Sequence, residues 1–435
     1  MTRETVFTYA APSLKFGSGA SDEVGHDLAS YGARRVLLVT DAGVMETGHP
    51  SRIAEHIWQR GIETVIFDGA RVEPTDESLD EAIGFARDAQ STGRAFDAIV
   101  AVGGGSSIDT AKAVNLLLTN PGELMDYVNA PVGKGRAPLE ELLPLVAIPT
   151  TTGTGSESTT ICVLDVLSLQ VKTGISHVAL RPRLAVVDPR LTVTQPTMVT
   201  ASSGMDILCH ALESYTARWY ADFDAKQPED RVPYCGANPI ADMWSERALS
   251  LLAGSFRAAV KDAGSEVHGK RATKGDRARE QMAMAATFAG LGFGNAGVHI
   301  PHANAYPIAG RVRDFVPPDY PQDEPIIPHG MAVSLTAPAA FRFTFDAAPD
   351  RHLRAARILD PKAKGDGPEV LADVVTALMR DIGLPSGLAE VGYGAADVDD
   401  LVAGATQQQR LLATAPRTPT DEDLAQVFVA SMEHW

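Results

Sequence analysis

Short aliphatic runs alternate with longer stretches of helical periodicity through the first half of the chain, and the alternation stops near the middle. Residues 35–40, 64–67 and 98–102 are runs rich in Val, Ile, Leu and Ala, while 49–60 and 77–92 between them repeat their apolar positions at helical spacing. A strand that is apolar on both faces has to be covered on both faces, so the pattern predicts a parallel sheet flanked by helices. Runs at 145–148 and 184–187 extend that sheet; two short strands at 6–9 and 14–17, around a turn at Pro12, and a helix over 21–31 precede it. From about Pro196 the strand-like runs end and helices are expected over 241–263, 276–288, 368–382 and 421–433. Segment 315–328 contains Pro317, Pro318, Pro321 and Pro325, cannot continue a helix, and reads as a loop ending at His329. The expected architecture is an α/β N-terminal domain, residues 1–192, followed by an all-α C-terminal domain, residues 193–435.

Composition narrows the class. The chain has 435 residues, 45% of them hydrophobic and 21% charged, which suits a well-packed globular protein. A net charge of −17 argues against generic affinity for nucleic acid or anionic membrane. Cys162, Cys209 and Cys235 lack CxxC spacing, so neither a disulfide framework nor a thiolate zinc site is indicated. Residues 1–9 show no signal core and no apolar run approaches the roughly 18 residues of a membrane span, so a cytoplasmic location is expected.

Ligands of doubly covered parallel sheets bind beyond the carboxyl ends of the strands, and the chemistry is expected there. Run 98–102 leads into Gly103-Gly104-Gly105-Ser106-Ser107-Ile108-Asp109, a glycine turn that opens a helix. With no Cβ in the way, backbone N–H groups at the helix terminus can close on phosphate oxygens at the positive end of the helix dipole. The turn is therefore expected to seat a pyrophosphate, although it departs from G-x-G-x-x-G and a glycine triplet alone is more often just a tight turn. Run 145–148 leads into Pro149-Thr150-Thr151-Thr152-Gly153-Thr154-Gly155-Ser156-Glu157, whose hydroxyls and glycines suit either ribose and nicotinamide or a structural loop. Asp41, at the end of the first run, would bind the adenine-ribose diol and repel a 2′-phosphate, favouring NAD over NADP; as a turn-opening Asp it is also a helix cap.

In the second half, Gly204-Met205-Asp206-Ile207-Leu208-Cys209-His210 read as a helix places Asp206 and His210 on one face, a carboxylate and an imidazole aimed at one point. His299, His302 and His329 follow downstream and could complete a metal site; an amphipathic helix with unrelated polar contacts is the plainer alternative.

Taken in order, Gly103-Gly104-Gly105-Ser106, the Thr150–Glu157 loop, Asp188-Pro189, Gly204-Met205-Asp206 to His210 and Pro328-His329-Gly330 resemble the iron-containing (group III) alcohol dehydrogenases over nearly the whole chain. Arg71-Val72-Glu73-Pro74-Thr75-Asp76, the stretch from Tyr127 to Gly135, and the stretch from Phe288 to His299 are most similar to the hydroxyacid-oxoacid transhydrogenase branch of that family. The resemblance implies a dehydroquinate synthase-like fold, in which a nicotinamide-dinucleotide domain and a helical metal-binding domain border a cleft, and it implies a homo-oligomer. Carried over residue by residue, it gives Asp206, His210, His302 and His329 as metal ligands, His302 being preferred to His299 because His302-Ala303-Asn304-Ala305-Tyr306-Pro307 matches the family's frame. It assigns Gly103, Gly104, Gly105, Ser106, Asp109, Thr150, Thr151, Thr154, Ser156 and Lys172, with Asp41, to the cofactor. Tyr306 stands where most of the family has a second histidine, so Tyr306 and His299 are the candidate proton-handling residues, with solvent or the cofactor 2′-hydroxyl as alternatives.

The activity implied is hydride transfer between a hydroxyacid or alcohol and an oxoacid through NAD, with Fe²⁺ as the family's metal and Zn²⁺ compatible with the same donors. Substrates such as 4-hydroxybutyrate and 2-oxoglutarate carry carboxylates, for which Lys134, Arg136, Arg311 and Arg313 are candidate partners. The alternatives are an NAD-dependent alcohol dehydrogenase that releases NADH, a metal-dependent lyase or polyol dehydrogenase of the same fold, and a non-catalytic nucleotide-binding protein.

Overall fold

The computed structural model describes residues 2–169, 171–231, 233–263 and 274–435. The chain divides into two compact units. One is Ala11–Thr194; the other joins the residues up to Ala10 with Gln195–Trp435.

In the first unit, strands β1 (Ser13–Phe16), β2 (Arg35–Val39), β3 (Glu63–Phe67), β4 (Ala98–Gly103), β5 (Leu145–Pro149) and β8 (Leu184–Val187) form a parallel sheet in the order β1-β8-β5-β4-β2-β3. Val36 and Leu38 enter the core on one face with Ile53 and Ile57, while Leu37 and Val39 enter the core on the other with Leu79 and Ile83. That two-residue alternation, buried on both sides, is why the runs carry no polar face. β2 is flanked by β3 on one side and β4 on the other, so the strand order reverses between β2 and β4. A crevice at such a reversal is where doubly wound sheets bind ligands, and Asp41 and Gly103 lie at the carboxyl ends of these two strands. β6 (Ile161–Val166) and β7 (Val171–Ser176) form a separate antiparallel pair in which Asp165 lies opposite Lys172.

Residues 6–9, expected as a strand, form none. This segment belongs with the helical unit, against which the Phe7 ring packs on Tyr220 at 4.8 Å. Glu4 anchors it by accepting hydrogen bonds from the Lys226 backbone N–H at 3.0 Å and from Arg231 at 3.2 Å. Residues 2–10 therefore lie outside the sheet domain to which the expected boundaries of 1–192 assigned them.

The helical unit is built around Thr197–Thr216, Pro239–Asp262, Lys274–Ala296, Ile300–Gly310 and His329–Thr344. Gly204 lets the first two helices approach closely: a Cβ there would lie 2.1 Å from the Phe256 ring. No helix forms between Arg311 and Pro328, and His329 is the first residue of the next one. Among the described residues no helix is long and apolar enough to cross a membrane.

His352, on helix Pro349–Leu359, is fully buried, with Nδ1 2.8 Å from the Ala348 carbonyl and Nε2 2.9 Å from Thr344 Oγ1. Burial lowers its pKa from 6.5 to about 4, so the folded protein holds it neutral while the unfolded chain takes up a proton below 6.5. Its contribution is therefore complete above 6.5 and is lost as the pH falls towards 4, at up to about 1.4 kcal/mol per pH unit. Urea unfolding between pH 6.5 and 4.5 should show a steeper loss of stability for the native protein than for His352→Gln. Parallel curves would show that the ring is not held neutral.

Candidate active site

Helix Thr197–Thr216 is buried along most of its length, so its few ionisable side chains are carried into the interior. Asp206, His210 and Glu213 fall at i, i+4 and i+7, one face of that helix. His302 comes from helix Ile300–Gly310 and His329 from the first turn of His329–Thr344. Around Asp206 Oδ1 stand His302 Nε2 at 3.4 Å, His210 Nε2 at 3.6 Å and His329 Nε2 at 3.9 Å. The ligand atoms of Asp206, His302 and His329 all lie within 4.8 Å of one another. His210 completes the group from the side, stacked between Phe293 at 3.8 Å and His302 at 4.6 Å.

Two of the meeting atoms, Asp206 Oδ1 and His302 Nε2, are buried without a hydrogen-bond partner. Orphaned buried polar atoms are costly, and a carboxylate oxygen and an imidazole nitrogen aimed at one point are the donor chemistry of a divalent transition metal. Electrostatics agree. Burial opposes ionisation of Asp206, but the surrounding imidazoles hold its pKa well below the usual carboxylate value. Burial lowers His210 to about 3, which keeps the ring neutral. Burial also works against a charge on His302, yet Glu213 and Asp206 raise its pKa to about 9, so without a cation this ring carries the balancing positive charge.

Two glycines shape the backbone beside this cluster. Gly330 follows His329 and packs on the helix that carries Asp206: a Cβ there would lie 2.1 Å from the Ser202 carbonyl oxygen and 2.9 Å from Asp206 Cβ. The Met331 backbone N–H donates to Ser202 Oγ at 3.1 Å, fixing the same contact. Gly297, at φ +95°, lies in the left-handed region that favours glycine, in the turn between the third helix and His302.

In the sheet unit, Gly104 caps helix Gly105–Thr119 without any side-chain hydrogen bond, and Gly104, Gly105 and Ser106 are only partly buried. The loop after β5 closes over this turn: the Thr150 N–H donates to the Gly103 carbonyl at 3.0 Å, and a Cβ on Gly105 would meet Thr154 at 2.6 Å. Thr151 and Thr154 are the half-exposed hydroxyl residues of that loop. Asp41 is both a cap and a tether, accepting from the Val44 N–H at 2.9 Å and from Ser107 Oγ at 2.9 Å.

Several expected roles are changed by the structure. Asp109 and Ser156, expected at the cofactor, are buried and joined to each other beneath the loops, and both hold Lys112. Asp109 also accepts from the Val163 N–H at 2.9 Å. Lys112, fully buried, adds Thr159 Oγ1 at 3.1 Å and the Ile161 carbonyl at 2.7 Å, so one ammonium ties helix Gly105–Thr119 to the Ser/Thr loop. Sequence reading missed this residue. The Lys172 ammonium, also expected at the cofactor, is buried between Glu73 and Asp165, each at 2.7 Å; against the lowering effect of burial, those carboxylates raise its pKa. His299, the other candidate proton-handling residue, is fully buried, its Nε2 lies 3.0 Å from Thr216 Oγ1, and burial lowers its pKa to about 4. Tyr306 is brought to the centre, one turn beyond His302, with its ring perpendicular to His329 at 6.3 Å. Lys134, Arg311 and Arg313 pair with Asp126, Asp400 and Asp397, and Arg136 lies over the Tyr127 ring.

The sequence matches the family model for iron-containing alcohol dehydrogenase over residues 11–189, and the C-terminal model of the Fe-containing alcohol dehydrogenase family over residues 232–432. The chain belongs to the iron-containing alcohol dehydrogenase family and is an oxidoreductase. It is similar to the mitochondrial hydroxyacid-oxoacid transhydrogenases of Bos taurus and Xenopus laevis, each 42% identical over 439 residues, which takes in 99% of this chain and 91% and 92% of theirs. Among solved structures, a 1,3-propanediol oxidoreductase superposes with a TM-score of 0.81 at 29% identity, covering 98% of this chain and 100% of that one. A sulfoacetaldehyde reductase from Bifidobacterium kashiwanohense in complex with NAD⁺ gives 0.79 at 26% identity, covering 98% and 99%. The transhydrogenases are named as mitochondrial, which overturns the cytoplasmic location expected above.

Proposed function

We propose that the protein moves hydride between a hydroxyacid and an oxoacid through a bound nicotinamide dinucleotide, with Fe²⁺ held by Asp206, His210, His302 and His329, as the name of its transhydrogenase relatives suggests. The observation that carries the reading is the buried meeting of Asp206 Oδ1 and His302 Nε2, 3.4 Å apart and without hydrogen-bond partners, beside two further imidazoles. Such a donor set, with no thiolate, suits Fe²⁺ and Zn²⁺ alike, and the family name favours iron. When bound, the cation and the nicotinamide supply charge stabilisation at a substrate oxygen and hydride exchange at carbon.

The chain's own groups do the rest. Asp206, His210 and His302 are buried and keep water from one side of the centre, while His329, with 24% of its side chain exposed, marks the accessible side. Tyr306 beside His329 is the proton-handling group of this reading; a phenol is a far weaker base than an imidazole, so it suits donation in the reductive direction better than abstraction in the oxidative one. The Gly103–Gly105 turn, with Thr150, Thr151 and Thr154, holds the dinucleotide, and Asp41 selects NAD. A homo-oligomer belongs to the same reading and is checked by sedimentation equilibrium.

A second reading, an NAD-dependent alcohol dehydrogenase that releases NADH, is favoured by the likeness to 1,3-propanediol oxidoreductase. The deciding experiment purifies the protein anaerobically with Fe²⁺, removes free nucleotide, and follows 4-hydroxybutyrate oxidation with and without 2-oxoglutarate. Succinic semialdehyde and 2-hydroxyglutarate formed together without added NAD support the transhydrogenase. Oxidation that requires added NAD and yields NADH whatever the oxoacid supports the dehydrogenase.

A further inference from the structure

Glu213 lies seven residues beyond Asp206 on the same face of helix Thr197–Thr216 and is completely buried. Both of its oxygens are used. Oε1 is 2.6 Å from His302 Nδ1, while Oε2 accepts from the His299 N–H at 2.6 Å and the His302 N–H at 3.4 Å. The helix Ile300–Gly310 needs an acceptor from elsewhere: His299 at its N-cap makes no side-chain cap, and Pro301 has no N–H to donate. Glu213 supplies that acceptor from another helix, at the positive end of the dipole, where a carboxylate is favoured. A cap alone would not need a charge, since a serine or asparagine oxygen satisfies backbone N–H groups. The second oxygen, set against the imidazole, is what the cap leaves unexplained.

An imidazole nitrogen facing a carboxylate carries the hydrogen, and the opposite nitrogen is then the one available as a ligand. Here that opposite atom is Nε2, which lies 3.4 Å from Asp206 Oδ1 and is buried without a partner. We infer that Glu213 is a positioning residue for the metal centre: it locks the His302 proton on Nδ1 and, by capping the helix that carries His302, fixes the ring so that Nε2 meets Asp206. The inference rests on the metal-site reading and extends it to a residue that touches neither metal nor substrate. Glutamine at this position has one acceptor where two are needed. Whichever way its amide turns, an N–H faces either the His302 Nδ1 hydrogen or a backbone donor, and the easiest relief is to move the imidazole hydrogen to Nε2.

The test titrates Zn²⁺ into the metal-stripped protein against a competing chelator, for the native protein and Glu213→Gln, with circular dichroism confirming the fold of each. Glu213→Gln is expected to bind Zn²⁺ about 10- to 100-fold more weakly. In the Zn²⁺-loaded native protein labelled with ¹⁵N-histidine, the His302 signal, identified by its absence in His302→Gln, is expected to show hydrogen on Nδ1. If Glu213→Gln does not fold, the native signal decides through the shift of that Nδ1 hydrogen, which donation to the Glu213 carboxylate moves far downfield. Unchanged affinity in Glu213→Gln, or a native His302 without hydrogen on Nδ1, overturns the inference while leaving the metal site standing. A native protein that takes up no Zn²⁺ overturns both.

Discussion

Asp206→Asn should leave a folded protein that no longer retains Fe²⁺ or Zn²⁺, with kcat/KM reduced by at least about 10³-fold, equivalent to about 4 kcal/mol of transition-state stabilisation. Asp206 Oδ1 is the atom that the three Nε2 atoms share, at 3.4, 3.6 and 3.9 Å, so removing its charge removes the hub of the cluster. Asparagine keeps the shape, and His302 keeps its contact with Glu213 at 2.6 Å, so the metal-free fold has little reason to collapse. The informative readout is the metal-dependent part of stability. Ligand at about 1,000 times its Kd stabilises a native state by about 4 kcal/mol, and that increment should vanish in the variant while metal-free unfolding stays close to native. A variant that retained stoichiometric metal and turnover would exclude Asp206 from the ligand set.

The sheet was legible because its strands are buried on both faces. Leu37 and Val39 serve one core and Val36 and Leu38 the other, and a run with no polar position has little choice but a covered sheet. The order β1-β8-β5-β4-β2-β3 was not legible, because pairing depends on which crossovers pack, and those contacts join residues far apart in sequence. Residues 6–9 misled for a related reason: their apolar character answers to Tyr220 in the helical unit, not to a strand neighbour. The pair β6–β7 escaped because Asp165 in one strand and Lys172, Thr173 and Gly174 in the other interrupt any long aliphatic run.

At the site, residue types that ligate metal were visible as such, and the helical spacing of Asp206 and His210 survives intact in the helix Thr197–Thr216. What spacing could not show is which polar groups spend themselves inside the protein. Lys112 reads as one cation on a helix and is instead a fully buried strut among four oxygens. Asp109 and Ser156 belong to that strut. His299 and His302 are three residues apart and chemically identical, yet Thr216 occupies one and Glu213 the other. The available signal was the third polar position, Glu213, continuing the face begun by Asp206 and His210 on a helix otherwise almost free of charge.

Gly330→Ala is expected to weaken metal binding by at least about 100-fold and to destabilise the protein by about 1–3 kcal/mol, the usual cost of overpacking a filled core. Helix propensity alone predicts the opposite sign, because alanine is favoured over glycine in a helix by roughly 1 kcal/mol. Packing decides. The added Cβ would lie 2.1 Å from the Ser202 carbonyl oxygen and 2.9 Å from Asp206 Cβ, and the first of these partners is backbone that cannot rotate away. Relief requires the start of helix His329–Thr344 to retreat from helix Thr197–Thr216 by roughly 1 Å or more, a displacement large enough to spoil a preorganised ligand geometry. The retreat would occur where both helices carry residues of the cluster, since His329 precedes Gly330 and Asp206 lies one turn beyond Ser202. It would also stretch the Met331 N–H to Ser202 Oγ hydrogen bond, now 3.1 Å. Chelator competition and urea unfolding of the metal-free protein measure the two effects separately. A Gly330→Ala protein that is more stable than native and binds Zn²⁺ equally well would show that the two helices are not held in the close contact from which the ligand geometry follows.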